Sequence, residues 1–158
     1  MGAERGRRCG AARVAVADDV EVVRGLFREY ALSLGARAAY LVGFDDELAA
    51  LPAGYDAVLV AEVYGEAVGC VAVRPLGGGA CEMKRLYVRP SARGAGAGRA
   101  LAVASLEHAR GRGYSVMRLD TLPTMVDAAA LYRSLGFVEV ERYNDNPAPG
   151  VRFMELRL

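Results

Sequence analysis

A glycine-rich turn is the part of the sequence whose residue types and spacing point most directly to chemistry. The run Arg93-Gly94-Ala95-Gly96-Ala97-Gly98 follows a strand-like stretch, Glu82 to Val88, and opens a helix-like stretch, Gly98 to Arg110. The first turn of a helix has backbone N–H groups without intrahelical acceptors, and the helix dipole favours an anion there. Glycines let the backbone approach a bulky anion, and Arg93 and Arg99 add positive charge. The sequence therefore predicts a pyrophosphate site at residues 93–99.

The spacing of the glycines argues against two common nucleotide-binding motifs. A dinucleotide fingerprint has G-x-G-x-x-G early in a βαβ unit and an acidic residue about 20 positions later. Here the glycines alternate, and the motif lies past the middle of the chain. A Walker loop needs Lys and then Ser or Thr after its last glycine, whereas Gly98 is followed by Arg99 and Ala100. The pattern that remains is Arg-x-x-Gly-x-Gly, and a glycine-rich turn without a ligand is the alternative.

The elements before this turn predict helices and an antiparallel meander. Arg13 to Ala17 has the alternation of a strand, and Asp18 with Glu21 predicts the start of a helix that ends at Gly35. Residues 36–55 are irregular, with a short helix around Asp45 to Leu51. Three consecutive strands are then expected, at Ala57 to Val63, Ala67 to Arg74 and Ala80 to Val88.

The elements after the turn alternate between helix and strand. The helix from Gly98 is followed by a strand over Ser115 to Asp120. Thr124 with Asp127 predicts a capping box for a helix that runs to Leu135 and is closed by Gly136. The last two strands are expected at Val138 to Arg142 and Val151 to Leu156.

This order of elements, from about Ala12 to Leu158, resembles the fold of the GNAT superfamily of N-acetyltransferases. Arg-x-x-Gly-x-Gly resembles the coenzyme A loop of that family, and Met83 to Val88 resembles the strand that leads into the loop. The stretch Leu131-Tyr132-Arg133-Ser134-Leu135-Gly136-Phe137 resembles its helix-to-strand signature. The arginines and glycines of the first residues predict a flexible N-terminal tail (1–11), and the resemblance implies a single N-acetyltransferase domain (12–158) that uses acetyl-CoA. It also implies an α/β fold with a mixed, mostly antiparallel central sheet flanked by helices.

The resemblance further implies roles for individual residues. Backbone groups at Leu86 and Val88 are expected to hold the acetyl carbonyl and the pantetheine arm, and amides from Arg93 to Arg99 the pyrophosphate. Tyr132 is expected to protonate the leaving thiolate, because a phenol with a pKa of ~10 carries a proton at neutral pH. An aromatic packing residue is the alternative for Tyr132. Many family members have an asparagine seven positions before this tyrosine that bonds the cofactor arm, but here Met125 stands there.

Glu82 lies early on the strand before the loop, where some family members carry a general base. An ammonium acceptor with a pKa of ~10.4 must lose a proton, which costs roughly 4 to 5 kcal/mol at pH 7 without a base or water chain. Strand periodicity places Lys84 on the same face, roughly 7 Å along, and a nearby cation lowers the pKa of a carboxylate. The sequence leaves both a general base and a Glu82–Lys84 ion pair open.

The composition narrows the class of protein and its partners. The 158 residues carry a net charge of +1, with 20 basic and 19 acidic residues interleaved, so no face for nucleic acid or membrane lipid is expected. The sequence lacks an apolar signal segment and a membrane-length apolar run, which favours a cytoplasmic protein. Cys9, Cys70 and Cys81 form no metal-type cluster, so no metal site is predicted, and the last two are expected as buried thiols. His108 is expected as a solvated helix-end residue.

The leading functional hypothesis is direct transfer of an acetyl group from acetyl-CoA to a primary amine within a ternary complex. Neither Cys70 nor Cys81 has an evident activating partner for a covalent acyl-enzyme. A noncatalytic acyl-CoA-binding module and a preference for a different acyl group are the alternatives. A small-molecule amine is favoured over a protein acceptor, and a homodimer is left open. Polar residues of two loops either line an acceptor cleft or are simply solvated: Asp45, Asp46, Glu47, Tyr143, Asn144, Asp145 and Asn146.

Overall fold

The computed structural model describes residues 10–158, which form a seven-stranded sheet flanked by four helices. The strands are β1 (Arg13–Val16), β2 (Ala57–Val63), β3 (Glu66–Gly77), β4 (Ala80–Val88), β5 (Val116–Thr121), β6 (Val138–Val140) and β7 (Arg152–Arg157). The helices are α1 (Val20–Ser33), α2 (Phe44–Ala50), α3 (Ala97–Gly111) and α4 (Val126–Ser134), with 3-10 turns at Gly35–Tyr40 and Pro90–Ala92. The predicted mostly antiparallel sheet and its flanking helices are confirmed. Most of the expected N-terminal tail, with Cys9, lies outside the described residues.

Both faces of the sheet are buried. Alternate residues of a strand point to opposite faces, so Leu59 packs on the α3 side while Val58 and Val60 pack on the α1 side. Leu101 and Leu106 of α3 belong to the first layer, as does Tyr132 of α4. In the second layer, α1 and α2 pack on the other face of the sheet through four buried side chains: Val23, Leu26, Phe27 and Leu48. Burial on both sides explains the nearly continuous apolar runs of β2 and β3.

The sheet order is β1-β2-β3-β4-β5-β7-β6, and β4 with β5 is its parallel pair. These two strands pair over a short register, from Ala80 opposite Val116 to Glu82 opposite Arg118. β4 continues to Val88 and β5 to Thr121 without further pairing between them. The sheet therefore opens beyond Glu82 and Arg118.

Several predicted boundaries differ from the observed ones: β1, β3, β5 and β7 are shifted by one to three residues, and two helix caps and the end of β6 are wrong. The cap of α1 is Asp19, not Asp18, because an Asp19 carboxylate oxygen accepts from the Glu21 N–H at 2.9 Å. The expected Thr124–Asp127 capping box is absent, since α4 begins at Val126 and no side chain caps it. β6 ends at Val140 because the Arg142 guanidinium donates to the carbonyls of Asn144 and Asn146, which curls the chain away from the sheet.

His108 is not the solvated helix-end residue that was expected. Its Nε2 lies 3.0 Å from Oδ2 of Asp56. Arg112 donates one hydrogen bond to each oxygen of the same carboxylate. This cluster joins the end of α3 to the residue before β2. Burial alone raises the pKa of Asp56, but the hydrogen bonds from His108 and Arg112 outweigh it and hold the pKa below its ordinary value.

We expect the Asp56 cluster to make stability depend on pH. A carboxylate whose pKa is lower in the folded state stabilises the fold above its unfolded pKa of ~3.9, and this contribution is lost as the pH falls through the folded value. Asp56→Asn should therefore lower Tm at pH 7 by about 2–4 °C, and the difference should shrink below pH ~4. Thermal melts from pH 7 to pH 3 measure it, with exposed Asp18→Asn as the matched control. An equal deficit at every pH would contradict it.

No helix within residues 10–158 is both long and apolar enough to cross a membrane. The same part of the chain contains no group of three or more His, Cys, Asp or Glu side chains that could hold a metal ion.

Candidate active site

The glycine-rich turn leads from β4 into α3, as predicted. Gly96 is the N-cap residue of α3 with φ 80, and Gly94 has φ 85, a left-handed conformation that favours glycine. Among residues 10–158, no backbone acceptor is bonded to the N–H groups of residues 94–99. Arg93 donates from Nε to the carbonyl of Val88 at 3.2 Å, which holds the turn against the end of β4. The turn thus presents unpaired N–H groups at a helix N-terminus, the arrangement that binds phosphate groups.

A groove of about 420 Å³ runs from this turn between β4 and α4, and we call it the donor groove. Four residues predicted to bind the cofactor line it: Leu86, Val88, Arg93 and Gly98. Gly94, Ala95, Gly96, Ala97 and Arg99 belong to the adjoining turn and the start of α3, outside the lining itself. Arg99 donates to the hydroxyl of Ser134 at 3.0 Å, which ties α3 to the end of α4. The structure therefore brings the predicted cofactor-binding residues together around one groove and its rim.

β4 carries a bulge beside the donor groove. Cys70 pairs with Tyr87 and Ala72 with Lys84, so Arg85 and Leu86 face a single residue of β3. Arg85 has φ 57, a left-handed value that is uncommon for a residue with a side chain. The bulge interrupts the pairing of β4 with β3 at Arg85 and at Leu86, which lines the donor groove.

The Arg85 side chain ties this bulge to α2. Its guanidinium donates two hydrogen bonds to Glu47, at 3.0 and 2.8 Å, and lies over the rings of Tyr30 and Phe44. Tyr55 donates a third hydrogen bond to the same carboxylate at 2.7 Å. Burial opposes ionisation of Glu47, but Arg85 and Tyr55 hold its pKa below the ordinary value. A charged pair with bidentate geometry thus offsets the strained backbone at Arg85.

A second cleft, of about 310 Å³, opens on the other side of the split between β4 and β5, and we call it the acceptor cleft. Of the loop residues predicted to line such a cleft, Glu47, Asn144, Asp145 and Asn146 line it, whereas Asp45, Asp46 and Tyr143 do not. Tyr30 and Met125 line both the donor groove and the acceptor cleft. The two clefts therefore meet at these two side chains.

Glu82 lies where the sheet opens, and its side chain is 1% exposed. Arg74 contacts its Oε1 at 2.6 Å, and Lys84 contacts the same oxygen at 3.4 Å. The Tyr143 hydroxyl donates to Oε2 at 2.5 Å, and the Asn144 amide donates at 3.3 Å. The Glu82–Lys84 ion pair that the sequence left open is therefore present, with Arg74 as a second cation. These four contacts fix the position of the carboxylate, and the base role of Glu82 stays a prediction.

We expect Glu82→Gln to lower the stability of the fold more than the rate of turnover. It leaves Arg74 and Lys84 without their shared counter-charge, which should lower the free energy of unfolding by about 2 kcal/mol, since Arg74 can reach solvent. Tm should then fall by about 4–8 °C, with the pH profile of turnover unchanged in shape. Glu155→Gln, which removes a more exposed partner of Arg118, is the matched control and should cost less. An unchanged Tm with turnover lost selectively at low pH would instead make Glu82 the base.

Tyr132 lies on α4, 7% exposed, with its ring edge-on to Phe137. Its hydroxyl has no hydrogen-bond partner among residues 10–158. Burial, followed by the nearby Tyr30 and Asp120, raises the pKa of Tyr132 above its ordinary value. The phenol is therefore neutral and keeps its proton throughout the physiological range, but Tyr132 is not among the residues that line either cleft.

Cys70 and Cys81 are fully buried in β3 and β4, as expected. Burial raises the pKa of each thiol to about 12. A thiol with such a pKa is protonated at neutral pH and is a poor nucleophile.

Sequence reasoning did not single out three charged residues of the site, Arg74, Arg85 and Asp120. No local motif marks Arg85, because its importance follows from the bulge and from Glu47, which is 38 residues away in sequence. Arg74 and Asp120 could have been noticed as polar residues at the ends of buried strands. Their convergence depends on the sheet order, which residue patterns alone do not determine.

Comparisons with known proteins agree with this architecture. The sequence model of the Acetyltransferase (GNAT) family matches residues 20–137. An uncharacterized N-acetyltransferase of Schizosaccharomyces pombe is 42% identical over 151 residues, covering 92% of each chain. An acyl-CoA N-acyltransferase structure from Klebsiella pneumoniae has a TM-score of 0.72 and 30% identity, over 94% of this chain and 97% of that one. The yncA protein of Salmonella typhimurium, solved with its cofactor acetyl-CoA, has a TM-score of 0.71 and 26% identity, over 94% of both chains.

The seven-stranded, mostly antiparallel sheet and its flanking helices give the chain the acyl-CoA N-acyltransferase fold. The family match and the S. pombe relative place the chain more narrowly: it belongs to the GNAT family of acetyltransferases.

Proposed function

We propose that this protein moves an acetyl group from acetyl-CoA directly to a primary amine within a ternary complex. The observation that carries the proposal is the meeting of two clefts at Tyr30 and Met125, where the sheet opens. One cleft starts at a phosphate-binding turn, and the other is lined by charged side chains. A donor and an acceptor can thus be bound at the same time with their reacting ends adjacent.

The donor groove is suited to coenzyme A. We propose that residues 93–99 bind the pyrophosphate through their free N–H groups and that Leu86 and Val88 hold the acetyl carbonyl and the pantetheine arm. The acetyl-CoA bound by the Salmonella typhimurium protein supports this choice of ligand. Met125 offers a thioether where many relatives have an asparagine amide, so it can pack against the arm but cannot donate to it.

The transfer step needs one proton at sulfur and the loss of protons from nitrogen. The neutral amine attacks the thioester carbonyl carbon, the N–C bond forms, and the C–S bond breaks. We propose that the Tyr132 hydroxyl donates its proton to the departing thiolate sulfur and is restored by the proton that the new amide nitrogen releases. The buried thiols of Cys70 and Cys81, with pKa values of about 12, support direct transfer over an acyl-cysteine intermediate.

Thiol release from acetyl-CoA across a mixed panel of amines tests the proposal, with mass spectrometry of the products. We expect a mass gain of one acetyl group on at least one small amine and no acetylated protein in the absence of acceptor. Tight binding of acetyl-CoA without turnover of any amine would favour a noncatalytic acyl-CoA-binding module. The small-molecule acceptor, the cytoplasmic location and the lack of nucleic-acid or membrane partners stay predictions.

A further inference from the structure

We infer that the acceptor cleft selects a primary amine that also carries a carboxylate, with Asp120 binding the ammonium group and Lys84 the carboxylate. This inference rests on the proposed function, because it assigns the substrate class of the same site. It would make the acceptor a free amino acid or a close analogue.

The register of β4 and β5 places Lys84 and Asp120 at corresponding positions on the two sides of the opening. Glu82 pairs with Arg118 at the last register position of β4 and β5, and Lys84 and Asp120 each lie two residues further on. They therefore continue the same faces of the two strands across the opening. Both line the acceptor cleft, and no ion pair joins them in the described part of the chain. A bound molecule with both charges can bridge them.

Asp120 is the negative end of this arrangement. The amide of Asn144 donates to its Oδ2 at 2.7 Å, and no cation within residues 10–158 contacts its carboxylate. After burial, the Asp120 charge helps to raise the pKa of Tyr30, Tyr132 and Tyr143, which places Asp120 among them and near the proposed proton donor. An ammonium bound at Asp120 would thus lie close to the proposed proton donor.

Lys84 is the positive end. Glu82 compensates one positive charge but contacts two cations, with Arg74 at 2.6 Å and Lys84 at 3.4 Å. Arg74 holds the closer position, so the Lys84 ammonium is the group that is free to bind a second anion. Its side chain is 14% exposed and lines the acceptor cleft. A carboxylate of the acceptor would restore neutrality on this wall.

Acetylation kinetics with matched acceptors tests the inference. The panel pairs amino acids with their decarboxylated amines, such as tyrosine with tyramine and phenylalanine with phenethylamine, and adds β-alanine and γ-aminobutyrate for longer spacings. We expect a preference of at least about 10-fold in kcat/KM for a carboxylated member, the effect of one charge-assisted contact. Lys84→Met should raise KM about 10-fold for that acceptor and leave KM for its decarboxylated partner unchanged. Lys84→Arg keeps the positive charge, so its KM for the carboxylated acceptor should lie between those of the wild type and Lys84→Met.

Asp120→Asn should lower kcat/KM about 100-fold for both members of a pair, while the acetyl-CoA Kd and Tm stay unchanged. Asp18→Asn, an exposed aspartate far from the cleft, is the matched control. Turnover of the decarboxylated amines alone, or equal effects of Lys84→Met on both members, would overturn the inference and leave the proposed function standing. No turnover of any amine by protein that binds acetyl-CoA would count against both.

Discussion

Gly96→Glu is expected to weaken acetyl-CoA binding by more than about 100-fold. Gly96 is the N-cap of α3 and lies between N–H groups that have no backbone acceptor, so a carboxylate there competes with the pyrophosphate and repels it. A loss of about 2.7 kcal/mol of binding free energy corresponds to that factor. Calorimetric titration of the folded variant with acetyl-CoA measures it directly.

Gly113→Glu is the matched control for this substitution. Gly113 follows the other end of α3 and has φ 83, close to the φ 80 of Gly96, and an added Cβ meets nothing within 4 Å at either position. Both variants therefore carry the same new charge and the same backbone strain. If both lowered affinity equally, or if Gly96→Glu bound acetyl-CoA like the wild type, the phosphate-binding role of the turn would be rejected.

The second large effect is expected from Tyr132→Phe, which removes the hydroxyl and keeps the ring. If Tyr132 protonates the thiolate, kcat should fall by roughly 100-fold, within the range usual for a general acid. The Tm and the acetyl-CoA Kd should change little, because the edge-on contact with Phe137 needs only the ring. Burial raises the pKa of Tyr132, so no loss of activity from ionisation of this phenol is expected below pH ~10.

Two further tyrosines decide how a result at Tyr132 is interpreted. Tyr114→Phe, in a half-buried position outside both clefts, should turn over like the wild type. Tyr30 lines both clefts, unlike Tyr132, so a large kcat loss in Tyr30→Phe with normal turnover in Tyr132→Phe would transfer the acid role to Tyr30. A Tyr132→Phe protein that merely unfolds would favour the packing role.

Residue patterns predicted the elements of the fold well where one physical signal dominated. β2 and β4 begin and end at the predicted residues, because apolar runs bounded by turn residues define a strand that is buried on both faces. Segments whose ends depend on distant contacts were less predictable. Nothing local signals that Arg142 folds back onto two carbonyls and shortens β6.

In the candidate site, too, a feature built from consecutive residues was predictable, whereas a feature built from distant residues was not. The glycine-rich turn is a contiguous segment, so its residues could be recognised from the sequence alone. The acceptor cleft is assembled from β3, β4, β5 and two loops, and its charges acquire meaning only through pairing across the sheet. Glu82 illustrates this: its neighbour Lys84 was visible in the sequence, but Arg74 and Tyr143 reach it from β3 and from the loop after β6.

Apart from Tyr30, Met125 and β4, the two clefts draw on different stretches of chain, and this separation has a consequence for redesign. The donor groove uses β4, the glycine-rich turn and α4, whereas residues 34–47 and 144–147 supply much of the acceptor cleft. Chimeras that exchange these two segments with those of a relative could therefore acquire a new acceptor while retaining cofactor affinity. Glu47 should be kept in any such graft, because it binds the left-handed Arg85 next to Leu86, which lines the donor groove.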